Sequence, residues 1–150
     1  MELAVRLATE NVLSGAGGPF GAVVVKHGEI IAACANTVTA TNDPTAHAEI
    51  NAVRAACKAL ASFQLAGCEF YTSCEPCPMC MAALYWARPL VVYYANTKID
   101  AARAGFDDSF IYTELALPSG ARKLRTIHLP DDGAINSFEQ WMKSQARIDY

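Results

Sequence analysis

Two short strings constrain this chain more than anything else in it: His47-Ala48-Glu49, and further along Pro76-Cys77-Pro78-Met79-Cys80. Each follows a loop and opens a stretch with helical periodicity. Cys77 and Cys80 stand three apart, so on a helix they project from neighbouring points of one face and can share a metal ion. In a first helical turn the positive end of the dipole favours thiolate over thiol. His47 adds a neutral nitrogen from a second helix, and a mixed nitrogen and sulfur set suits zinc. Three protein ligands leave the fourth tetrahedral position open, which separates a catalytic zinc site from a closed structural one. Glu49, two residues from His47, points elsewhere on the helix. It is expected beside the metal as a base rather than on it as a ligand.

Each half of the pattern has an ordinary explanation when taken alone. His-x-Glu arises by chance, and Cys-x-x-Cys also marks redox pairs, structural zinc half-sites and iron–sulfur runs. Cys74, Cys77 and Cys80 form a longer string, but no further cysteine follows to complete a cluster in the usual spacing. Cys74 is read as a bystander at a strand end, and Cys34, Cys57 and Cys68 as core residues. His27, in a hairpin turn, and His128, in a strand, have no partner at metal spacing. The combination of both halves, each opening a helix, is what carries the metal reading.

The rest of the chain bounds the kind of protein that carries this site. With 150 residues, 53% of them apolar, it can bury one core as a single domain over 1–150. No apolar run reaches membrane-spanning length and no export signal is seen at the start, so a cytoplasmic protein is expected. Reduced cysteines clustered around a metal motif agree with that compartment. Twelve basic and 15 acidic side chains give a formal charge of −3, with no basic run denser than Arg122-Lys123-Leu124-Arg125. A polyphosphate partner would need a stronger basic footprint. A small neutral substrate is expected, with neither nucleic acid nor membrane as partner.

Helical spacing predicts a first helix from about Glu2 to Leu13, ended by the glycine-rich Ser14–Pro19. Gly21–Lys26 and Ile30–Ala35 read as an antiparallel hairpin. Thr45 is the expected N-cap of the helix that carries His47. Cys68–Thr72, a helix from Cys77 to Ala87, and Leu90–Tyr94 repeat strand, helix, strand and predict a parallel section of sheet. Further on, Asp100 is expected to cap a short helix to Ala104, Leu124–Leu129 to form a last strand, and Ser137 with Gln140 to open a last helix. The fold class is α/β: a three-layer α/β/α sandwich around a mixed sheet.

The spacing H-x-E followed by P-C-x-x-C is the signature of the zinc nucleobase deaminases. Beyond it, Gly17–Val23, Asn42–Glu49, Tyr71–Cys80, Tyr85–Pro89, Gly105–Tyr112 and the terminal Tyr150 resemble the bacterial guanine deaminases, of cytidine deaminase-like fold. The match is weak between 117 and 136. The resemblance implies one zinc ion per subunit, held by His47, Cys77 and Cys80. It implies hydrolysis of guanine to xanthine and ammonia by attack of zinc-activated water on C2, with Glu49 as proton shuttle. It further implies Asn36 as a hydrogen-bonding partner of the purine, Phe20 and Trp86 as apolar walls, and Asp108 as a polar contact that helps move protons. Tyr150 would close the pocket. A homodimer that exchanges its C-terminal segments from about residue 105 is also implied, with Asp108 and Tyr150 serving the partner's site. Guanosine deaminase is the nearest rival, since it differs chiefly in needing room for ribose. A non-catalytic zinc-binding module is the rival of a different class, and it leaves Glu49 without a task.

Overall fold

The computed structural model describes residues 1–149. Residues 1–109 and 110–150 form two compact units. Helix α1, Glu2–Leu13, opens the first unit and is followed by the hairpin β1, Gly21–Lys26, and β2, Glu29–Ala35. A short helix α2, Val38–Thr41, leads to α3, Ala48–Ala59. Then come β3, Cys68–Cys74, α4, Pro78–Ala87, β4, Val91–Asn96, and α5, Lys98–Arg103. The four strands form one sheet in the order β2-β1-β3-β4, with β1 antiparallel to both neighbours and β3 parallel to β4. The expected mixed sheet is present, with its parallel pair where the strand, helix, strand repeat placed it.

Alternation along β1 builds the layers. Ala22 and Val24 join the core cluster that includes Ala48, Ala52 and Ala56 of α3. These alanines recur every fourth residue, so α3 offers the sheet a smooth small-residue stripe. Gly21 faces the other way, and a Cβ there would lie 2.3 Å from the Ala4 carbonyl oxygen of α1. Helix α1 therefore lies against the opposite face of β1, at a distance only glycine permits. Phe70, Leu65 and Leu84 complete the core under α3 and α4.

Several local expectations are corrected by the hydrogen bonding. His47, not Thr45, is the N-cap of α3, because Thr45 is taken by Asp43: its hydroxyl and its N–H both donate to Asp43 Oδ1, at 2.7 and 2.8 Å. Thr97, not Asp100, caps α5, in a capping box with Asp100 at the third helical position. Helix α6, Ser109–Ala116, starts at the last residue of the first unit after the expected break at Gly105, and a 3-10 turn spans Ser119–Ala121 in the second. Leu124–Leu129 is not a strand, since no sheet edge pairs with it among the described residues. The last helix, α7, Asn136–Lys143, exists without the expected capping box: Ile135 is its N-cap and the Ser137 hydroxyl donates back to the Ala134 carbonyl.

Candidate active site

The site is assembled from two helix starts on one side of the sheet. Cys77 is the N-cap of α4, with Pro78 at the first helical position, where a missing N–H costs nothing. The loop before it is held tightly. The Glu75 N–H donates to the Asn96 carbonyl at 2.8 Å, its carboxylate accepts from the Lys98 N–H at 3.1 Å, and Pro76 is fully buried. His47 caps α3, and α3 packs beside α4. The Asn51 amide, one turn on, donates to the Ala35 and Ala46 carbonyls at 3.0 and 3.3 Å, which ties the end of β2 to the residue before His47.

His47 Nδ1 stands 3.6 Å from Cys77 Sγ and 3.5 Å from Cys80 Sγ. A tetrahedral zinc with ordinary Zn–S and Zn–N bonds separates such ligand atoms by about 3.6 Å. All three ligand atoms lie within 4.8 Å of one another, and no fourth histidine, cysteine or carboxylate joins them among the described residues. The donor set fits zinc with one position left open.

The thiols are electrically unequal in the protein without metal. A hydrogen bond from Cys80, with help from the His47 ring, outweighs burial and holds Cys77 down at about 4. Cys80 is pushed up, first by that same bond and then by burial. The bonded Cys77 sulfur in turn raises His47. One thiolate beside a protonatable imidazole is a pair that a cation displaces protons from, so metal binding releases protons here.

Glu49 is 4% exposed and lies outside the ligand triangle. Burial pushes its carboxyl up from the ordinary range, and the Cys77 charge acts in the same direction. Thr72, fully buried on β3, donates from Oγ1 to Glu49 Oε1 at 3.4 Å. A buried carboxyl whose hold on a proton is strengthened by burial and a neighbouring thiolate is suited to taking up and returning one.

The other expected residues are dispersed around this centre. Asn36 is buried at the end of β2, and its Oδ1 accepts from the Val38 N–H at 3.2 Å. Phe20 packs edge-on against Phe106 with ring centroids 5.0 Å apart. Asp108 belongs to the same unit, half-buried, and is raised by burial and then by the Cys77 charge of its own chain. Trp86 is 63% exposed and lies six residues beyond Cys80, about 9 Å further along α4. Tyr150 lies outside the described residues. Thr72 and Phe106 escaped the sequence reading. Phe106 stands two residues before Asp108 and could have been flagged by that spacing, whereas Thr72 reads as one more β-former in a strand.

An α/β sheet carrying a half-open His, Cys, Cys centre with a buried carboxylate beside it defines a metal-dependent hydrolase. Comparison with known proteins makes this specific. Residues 1–96 match the cytidine and deoxycytidylate deaminase zinc-binding region, and the chain belongs to that family. Over 150 residues it is 51% identical to guanine deaminase of Bacillus subtilis, covering all of this chain and 96% of the relative. The solved structure of guanine deaminase from that organism superposes with a TM-score of 0.97 at 52% identity, covering 99% of this chain and 95% of that one. A tRNA-specific adenosine deaminase of Aquifex aeolicus is 50% identical over 70 residues, 47% of this chain and 46% of the relative.

Proposed function

We propose that the protein is a zinc-dependent guanine deaminase, converting guanine and water to xanthine and ammonia. The observation that carries this reading is the extent of the likeness. Identity to the guanine deaminase runs through the C-terminal third, whereas the similarity to the tRNA enzyme is confined to about half the chain. The zinc motifs are common to both, so substrate choice has to lie outside them.

When bound by His47, Cys77 and Cys80, zinc supplies a Lewis acid that makes water nucleophilic near neutral pH. Glu49 accepts the proton of that water at its carboxylate and returns it to a ring nitrogen as C2 is attacked. It then carries a second proton, from the hydroxyl gained at C2, to the amine, which leaves as ammonia as the C2–N bond breaks and the C2 carbonyl of xanthine forms. Asn36 binds the purine edge: with its Oδ1 engaged by Val38, the amide offers its Nδ2 donors to acceptor atoms of the base. Phe20, braced by Phe106, supports one face of the ring. Asp108 binds polar atoms of the base and assists the outgoing proton. Trp86, exposed on its own chain, is assigned a wall role only once a partner covers it.

The second unit supports a dimer. No described residue between 110 and 149 is buried, although the segment carries Leu115, Leu124, Ile127, Leu129, Phe138 and Met142, each more than half exposed. A segment this apolar needs another surface to cover it. A homodimer that exchanges the segment from about residue 110 supplies one, with Tyr150 closing the partner's pocket and leaving no room for ribose. Asp108 is assigned to its own chain's pocket, the exchange beginning after it and not at about residue 105, a reading supported by the place of residues 105–109 in the first unit.

The test is ammonia release by the zinc-loaded protein given guanine, guanosine, adenine and cytosine separately. Turnover of guanine with little of the others is expected. Preference for guanosine would overturn the closing role of the tail, and turnover of none would leave a zinc-binding module.

A further inference from the structure

Asn11 of α1 is a polar side chain only 6% exposed, and no step proposed above uses it. Its Nδ2 donates twice, to the Gly18 carbonyl at 2.8 Å and to the Asn36 carbonyl at 2.9 Å. Its own carbonyl accepts from the N–H groups of Ala16 and Gly17, at 3.0 and 3.4 Å. The loop that leads into Phe20 is thus wound around one asparagine. A Cβ on Gly17 would lie 2.5 Å from the Asn36 carbonyl oxygen and 2.8 Å from Asn11 Nδ2, so the knot closes only over a glycine. The Asn36 N–H in turn donates to the Phe20 carbonyl at 3.0 Å. Phe20 and Asn36 are therefore one hydrogen-bonded unit, and Asn11 holds both the approach to the first and the carbonyl of the second.

We propose that Asn11 is a positioning residue for purine binding, acting through Asn36 and Phe20. It hydrogen-bonds neither the candidate metal ligands nor Glu49, so its influence reaches the substrate by placing the side chains that meet the base. Buried amides with both donors engaged hold backbone segments in a fixed relation, because moving either carbonyl strands a buried donor. The proposal rests on the guanine reading above, in which Asn36 meets the purine.

Steady-state kinetics on the zinc-loaded protein with guanine test it. Asn11→Ala is expected to raise KM about tenfold while kcat stays within about threefold and zinc content is unchanged. Gly17→Ala, which presses on both the Asn36 carbonyl and Asn11 Nδ2, is expected to act likewise, and carries the comparison where Asn11→Ala fails to fold. The decisive readout is a double-mutant cycle with Asn36→Ala, in which loss of Asn11 should raise KM clearly less than the about tenfold it gives alone, the part carried by Phe20 remaining. A lower melting temperature or kcat with KM unchanged, or additive effects in the cycle, would overturn the proposal alone. An unchanged KM in Asn36→Ala itself would overturn the purine-contact reading, and the proposal with it.

Discussion

Thr72 Oγ1 and Glu49 Oε1 meet at 3.4 Å across the boundary between β3 and α3, both side chains sealed from solvent. The sheet therefore reaches the Glu49 carboxylate directly, from the strand whose end leads into the cysteine motif. At that length the hydrogen bond is weak, and its role is to orient the carboxylate more than to bind it. Thr72→Val keeps the shape and removes the donor. It should lower kcat about three- to tenfold, leaving KM and zinc content unchanged, as read by steady-state kinetics and metal analysis.

Metal removal should expose a chemical difference among the cysteines. With Cys77 held at about 4, its sulfur is thiolate at any pH above that value once zinc is stripped. Burial pushes Cys74 up to about 11, and Cys34 and Cys57 are also raised, so these stay protonated. Iodoacetamide at pH 6, followed by peptide mass spectrometry, should label Cys77 first in chelator-treated protein and spare it when zinc is bound. Equal labelling with and without zinc would contradict the ligand assignment.

Tail exchange is open to a complementation test. Glu49→Gln inactivates one pocket but leaves its tail intact, and Tyr150→Ala spoils the tail but leaves the pocket intact. Refolded together, the two should form mixed dimers in which one pocket is whole, with about half the wild-type rate per mixed dimer. No recovery beyond the sum of the separate variants would mean that each tail serves its own chain.

The centre of the site was legible in the sequence because chemistry fixes spacing there. His47, Cys77 and Cys80 must each project from a helix start to share one ion, and the structure brings them together. The hairpin was legible for a plainer reason, since the apolar runs Gly21–Lys26 and Ile30–Ala35 flank the turn at His27-Gly28 and the strands form there, whereas the alanine stripe of α3 that packs on them was not read from the sequence. Helix starts were harder to read. Thr45 and Asp100 have good capping chemistry, but nearby Asp43 and Thr97 compete for the same donors and acceptors. Leu124–Leu129 has strand composition, yet a strand exists only where an edge receives it. Asn11 was the least legible of all, because its partners are backbone carbonyls seven and 25 positions away, which no side-chain pattern announces.

Glu49, buried beside the His47, Cys77 and Cys80 centre, is the group proposed to carry the protons of deamination. Glu49→Gln, assayed for bound zinc and for xanthine formation from guanine, tests it most directly. One zinc per chain and a rate reduced by about a hundredfold or more are expected. Full zinc occupancy with a near-normal rate would show that some other group moves the proton.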